Sequence, residues 1–222
     1  MTHAIASDHT LPLLGGRQHF LIRRLHSLTG LVFGGYLIVH LLVNATIARG
    51  NEYQVQVDKI HSLPFLPVIE WTFIYLPILF HTAYGIWITF TGQPNIDRYT
   101  YTKNYFYVAQ RISAFIIVVF MLLHVLSLKY GMLGMNYAFS PHHALDTVGQ
   151  HLDHVWLAWF IYPIGILASC YHLANGFWTA AITWGLTVSA SAQKRWGYAC
   201  AGLFALTFIA GIVSLIAGAR LQ

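Results

Sequence analysis

Apolar residues run nearly unbroken for more than about 20 positions at a time in this chain, five times over, with polar or turn-forming stretches between the runs. Runs of that length predict membrane-crossing helices, because a bilayer core takes about 20 residues of α-helix. The five expected helices cover residues 20–48, 64–91, 105–130, 153–187 and 196–219. The first carries Arg23, Arg24, His26 and Ser27 in its early turns, so only its later part lies deep. Residues 1–19 are polar and turn-rich and read as a surface segment ahead of one domain, 20–222. They hold no continuous apolar stretch, so no cleavable signal peptide is expected. The expected fold is an all-α membrane protein, a bundle of five transmembrane helices.

Composition agrees with the pattern. The chain is 57% hydrophobic and only 9% charged, against about 25% charged residues in ordinary soluble domains. A net charge of +5 would suggest nucleic acid in a soluble protein, but here the basic residues lie between apolar runs and act on topology. Arg17, Arg23, Arg24, Arg98, Lys103, Arg111, Lys194 and Arg195 fall on the N-terminal side of the expected spans, and Arg49, Lys59, Lys129 and Arg220 on the other. The excess predicts a cytoplasmic N-terminus. Cys170 and Cys200 sit in apolar runs without CxxC spacing, so they read as core residues.

Candidate chemistry lies inside the runs. His81-Thr-Ala-Tyr-Gly85-Ile-Trp87 and His172-Leu-Ala-Asn-Gly176-Phe-Trp178 share the phrase His-x-Ala-x-Gly-x-Trp. Histidine is costly in hydrocarbon unless partnered, and glycine four residues on leaves room on the same helix face for a flat ligand. Two other runs each hold one deep histidine, His40 and His124. Four histidines on four helices are what two six-coordinate haems require. His40 lies roughly 24 Å along its helix from Arg24, His124 roughly 20 Å from Arg111, and His81 roughly 15 Å from the opposite end of its own helix. Those depths, with the shared phrase setting His172 level with His81, pair His40 with His124 toward the outside and His81 with His172 toward the inside.

Plainer readings stand beside this one. A single membrane histidine is often a hydrogen-bonded packing residue. Gly30, Gly34 and Gly35 serve close helix packing in many bundles, and Trp87 and Trp178 suit a membrane interface. The loop histidines His142, His143, His151 and His154 read as solvated. Glu70, near the outer start of the second helix, is the clear intramembrane acid, a candidate proton-exchanging group for a quinone or else an interfacial side chain reaching water.

As a set, Arg23-Arg24-Leu-His26-Ser27, Ala48-Arg49-Gly50, Ser62-Leu-Pro64-Phe65, His81-x-x-Tyr84-Gly85, Gln110-Arg111, His172-x-x-Asn175-Gly176-x-Trp178 and Thr183-Trp184-Gly185 resemble the dihaem cytochrome b membrane anchors of succinate:quinone oxidoreductases. The likeness is greatest to the five-helix type of menaquinone-using Bacillus-like bacteria. The longer N-terminus and the histidine-rich loop depart from that type. The resemblance implies two haems b with His40, His81, His124 and His172 as axial ligands. It implies an FAD-carrying flavoprotein subunit and an iron–sulfur subunit on the cytoplasmic face, menaquinone as acceptor, and residence in a bacterial cytoplasmic membrane. Arg23, Arg24, His26, Ser27 and Arg111 lie at the right level to meet haem propionates, or else serve topology and lipid headgroups. The chain itself has no dinucleotide fingerprint and no cysteine cluster for an iron–sulfur centre. The competing classes are a cytochrome b subunit of a hydrogenase or formate dehydrogenase, and a proton-coupled transporter without haem. The transporter would call for more intramembrane acids than Glu70.

Overall fold

The computed structural model describes residues 16–92 and 100–221, and all regular structure within them is helical. Five helices are long and apolar enough to cross a membrane: α1 (Arg17–Arg49), α3 (Leu66–Thr91), α4 (Thr102–Lys129), α6 (Leu157–Thr183) and α7 (Ala190–Gly218). Two short helices, α2 (Asn51–His61) and α5 (Ala144–Leu152), complete the set. Residues 1–15 of the expected surface segment, and Arg98, lie outside the described residues.

Several boundaries differ from the sequence reading, each for a local reason. Helix α7 starts six residues earlier than expected because Ser189 caps it, its hydroxyl accepting from the Ala192 amide at 3.2 Å. Lys194 and Arg195 therefore stand in its opening turns rather than ahead of it. Helix α6 stops short of the expected end because Gly185 adopts a left-handed φ of 74° and the Leu186 amide turns back to the Ala181 carbonyl at 2.8 Å. The polar stretches after α1 and before α6, expected as loops, instead contain α2 and α5.

Three spans are widened by one π-type turn: Trp71–Tyr75 in α3, Val125–Lys129 in α4 and Leu157–Ile161 in α6. In α3 and α6 the cause is the proline just beyond, Pro77 and Pro163, which lacks an amide hydrogen and crowds the carbonyl one turn back. In α4 the fully buried Ser127 donates to the Leu123 carbonyl at 2.5 Å and competes with the backbone ladder.

Helix α1 packs between α3 and α7, α7 against α6, and α6 against α4, while α3 and α4 meet only lightly. Helices α1 and α4 thus stand diagonally across the bundle, as do α3 and α6. The end where α1 begins is called the near end here. At the far end, α2 and α5 lie over the bundle and bury Tyr53, Val57, Ala144, Val148 and Leu152 into one cluster with Leu41, Ile166 and Leu215. Gln54 joins the two lids, donating to the Pro141 carbonyl at 2.7 Å and accepting from the Ala144 amide at 2.9 Å. Away from the interior, Leu79, Phe90, Phe115 and Leu122 stay exposed, as lipid-facing helix surfaces require.

Candidate functional site

The four deep histidines meet inside the bundle as two crossed pairs. At the near end, the His81 ring (α3) faces the His172 ring (α6) with centres 6.2 Å apart and planes at 88°. Further along, His40 (α1) faces His124 (α4) at 6.1 Å and 84°. A metal–imidazole bond of about 2.0–2.1 Å, plus about 1.1 Å from each nitrogen to its ring centre, spans about 6.2 Å when one ion sits midway. Each gap is therefore the width of one ion ligated from both sides. Among the described residues no third histidine, cysteine or carboxylate joins either pair into a metal-binding group.

All four rings are held by the nitrogen that turns away from the gap. His81 Nδ1 donates to the His26 carbonyl at 3.0 Å. His172 Nδ1 lies 3.2 Å from the Gln110 carbonyl and 3.3 Å from Ser113 Oγ. His124 Nδ1 is 2.8 Å from the Tyr162 hydroxyl, and His40 Nδ1 is 3.4 Å from the Tyr36 hydroxyl. The carbonyl partners place the hydrogen of His81 and of His172 on Nδ1 and leave Nε2 of each ring bare, whereas the hydroxyls beside His40 and His124 can take either role. Gln110 further staples the turn of His172, donating to its carbonyl at 3.1 Å and accepting from Asn175 Nδ2 at 2.8 Å.

A Cβ at Gly85 would meet His26 Cε1 at 3.3 Å, and one at Gly176 would lie in ordinary contact with Gln110 Nε2 at 3.7 Å. The tight position is Gly30 on α1, where a Cβ would stand 2.5 Å from His81 Cε1.

Polar groups around the near pair separate into two sets. His26 stacks on His81 with ring centres 4.0 Å apart, and its Nδ1 is buried without a partner. The Tyr84 hydroxyl, and Nε and Nη1 of Arg111, are likewise buried and unpartnered among the described residues. Arg111 otherwise donates from Nη2 to the Ile88 carbonyl at 3.3 Å and lies over the Tyr107 ring. In contrast Arg23 is exposed, Arg24 lies 4.7 Å over the Trp184 ring, and Ser27 Oγ accepts from Trp184 Nε1 at 3.0 Å. The structure gathers His26 close to the pair, leaves Arg23 exposed, and turns Arg24 and Ser27 to Trp184.

Glu70 stands half-buried at the far end of α3 and makes no ion pair among the described residues. Lys129 on α4 is near enough to feel its charge, and donates from Nζ to the Tyr75 hydroxyl.

The histidine-rich stretch corrects the sequence reading. His142 and His143 are exposed as expected, but His151 on α5 is only 1% exposed and His154 is half-buried. His151 Nδ1 lies 3.1 Å from the Tyr137 hydroxyl, and its ring stands edge-on to Tyr162 at 5.6 Å. Burial first, and then neighbouring His154, pull His151 down to about 4, so the ring is neutral. The apolar positions Ala144, Val148 and Leu152, one turn apart, were the signal that this stretch is a helix with a buried face.

These features define a multi-pass membrane protein whose interior presents two separate two-nitrogen sites. Residues 93–213 match the family described as Succinate dehydrogenase/Fumarate reductase transmembrane subunit. Over 207 residues, 92% of this chain and 99% of the relative, it is 33% identical to the Succinate dehydrogenase cytochrome b558 subunit of Bacillus subtilis (strain 168). The chain belongs to this family, and it is a membrane anchor of succinate dehydrogenase in a bacterial membrane.

Proposed function

We propose that the chain holds two haems b in series and passes electrons from a soluble iron–sulfur subunit to menaquinone. The observation that carries this reading is the pair of gaps: two facing imidazoles each, 6.1 and 6.2 Å between ring centres, every Nδ1 tethered. Two nitrogens leave an ion incomplete, and among the described residues no further protein donor is at hand. A planar macrocycle that brings its own four nitrogens completes the set, so the donor chemistry fits haem, with His40 and His124 holding one and His81 and His172 the other. A haem ligated by histidine on both faces supplies reversible one-electron storage and leaves no open position for oxygen.

The protein's own part is placement and insulation. The Nδ1 tethers hold the four imidazoles face to face so that little rearrangement accompanies an electron's arrival. Helices α2 and α5 cover the apolar interior at the far end. The unpartnered Arg111 Nε and Nη1, Tyr84 hydroxyl and His26 Nδ1 are donors suited to carboxylates, and we assign them to the propionates of the haem between His81 and His172. Arg23, Arg24 and Ser27 then serve the membrane face. The charge distribution puts the near end in the cytoplasm, where an FAD flavoprotein and its iron–sulfur partner would dock. Lys103, which reaches Gln193 Oε1 at 3.2 Å, and Lys194 and Arg195 stand on that side. Quinone would be reduced at the far end, with Glu70 exchanging its protons with water.

The test is purification of the intact complex with haem content and spectrum measured together. Two haems b per chain, both reducible by succinate, are expected. Replacing His81 or His172 should remove one signal, and replacing His40 or His124 the other. Retention of both signals in all four variants would end the assignment.

A further inference from the structure

Two leftovers meet at the far end of the bundle. Resting on the bis-histidine reading, His124 offers Nε2 to the metal and so carries its hydrogen on Nδ1. That N–H donates to the Tyr162 hydroxyl at 2.8 Å, which leaves the phenol with an O–H to place. The second leftover comes from the opposite direction and needs no haem. The Tyr137 hydroxyl lies 3.0 Å from Met135 Sδ, to which it can donate, and 3.1 Å from His151 Nδ1; donating to the sulfur, it accepts from His151 Nδ1, which then carries the hydrogen. His151 Nε2 is then a bare acceptor, and it is buried without a partner among the described residues. The rings of Tyr162 and His151 are in edge contact, with centres 5.6 Å apart.

We propose that His151, on the surface helix α5, is a positioning residue for the His40–His124 site: it receives the Tyr162 O–H, directly or through one buried water, and so aims the phenol oxygen at His124. The bond order is then continuous, from His124 through Tyr162 and His151 to Tyr137. The two sites differ in kind here. His81 and His172 are tethered to backbone carbonyls, whereas the tethers of His40 and His124 are phenols whose orientation depends on what lies behind them. Behind Tyr162 stands the one fully buried histidine of α5. Its neutral state, held by burial, keeps Nε2 free to accept.

A donor at Nδ1 with a well-aimed acceptor makes the imidazole more electron-rich and favours the oxidised metal. Removing the acceptor should favour the reduced form about tenfold, an upward shift of about 59 mV for one electron. The experiment is a redox titration of the membrane-embedded complex, followed by the optical and electron paramagnetic resonance signals of each haem. Tyr162→Phe should raise the far-end potential by about that amount and leave the near-end signal where it was. His151→Phe should move the same signal in the same direction by less, since Tyr162 then remains but is unaimed. His151→Gln, which keeps an acceptor, should restore most of the original value. A far-end potential unmoved by His151→Phe, in a complex where Tyr162→Phe does move it, would overturn the role of His151. Equal shifts at both haems would also overturn it, since that marks a global change. Absence of haem from the unmodified complex would instead refute the reading on which the inference rests.

Discussion

Gly30→Ala is the sharpest test of how the His81–His172 gap is built. The new Cβ would stand 2.5 Å from His81 Cε1 and 2.7 Å from Nδ1. Comfortable contact is about 3.5 Å or more, so the ring must retreat by about 1 Å. A retreat of that size carries Nδ1 out of hydrogen-bond range of the His26 carbonyl, now 3.0 Å away. The lost bond costs about 1 kcal/mol and the overpacking about 1–3 kcal/mol. Alanine returns about 1 kcal/mol of helix propensity. The net, about 1–3 kcal/mol, is roughly a fivefold to 150-fold loss in the affinity of the near site for its cofactor. Gly35→Ala is the control on the same helix, because a Cβ there meets nothing within 4 Å. Haem-to-protein ratios and reduced spectra of the two complexes, purified in parallel, make the comparison. Full haem content with an unchanged near-end signal in Gly30→Ala would refute the packing argument, as would an equal loss in Gly35→Ala.

Other expectations follow from single side chains. Because His151 is held at about 4 in the fold against an ordinary value near 6.5, the unfolded chain binds the extra proton between those values. Its share of stability is therefore intact above pH 6.5 and is lost as pH falls toward 4, by up to about 1.4 kcal/mol per pH unit. Hydrogen exchange of α5 at pH 7.5 and 5 should show this loosening, and His151→Leu should flatten the difference. Arg111→Gln, which removes the buried cation, should weaken retention of the near haem tenfold or more, while Arg23→Gln should leave it unchanged, as read by spectra after detergent washing. Glu70→Gln should keep both haems and their reduction by succinate yet slow turnover with quinone; equal turnover would reduce Glu70 to an interfacial side chain.

The spans were legible because long apolar runs have one stable solution in a bilayer, and the deep histidines because burial in hydrocarbon makes them conspicuous. Depth along the helices paired His40 with His124, and the phrase shared with His81 placed His172 opposite it. Apart from Tyr36, one turn before His40, the partners that orient those rings were not legible. His26 lies 55 residues from His81, Ser113 59 from His172 and Tyr162 38 from His124, separations that carry no local period. The short helices escaped for another reason. Mean polarity hid α2 and α5, although Tyr53 and Val57, and Ala144, Val148 and Leu152, repeat at one-turn spacing. Ser189, which starts α7, looked like one more serine in a polar stretch until its hydroxyl was seen to take the Ala192 amide.

The diagonal arrangement has a consequence for how the protein is made. Each histidine pair joins helices that barely touch or do not adjoin, so a filled gap acts as a cross-brace rather than as filling between neighbours. The braces reach across similar lengths of chain, from 40 to 124 and from 81 to 172, so loop closure costs them about the same. Synthesis nevertheless separates them in time. The first brace can be set once α4 has entered the membrane, whereas the second must wait for most of α6. On the two-haem proposal, cofactor loading and membrane insertion become one ordered assembly line, in which the far site can lock before the near one exists.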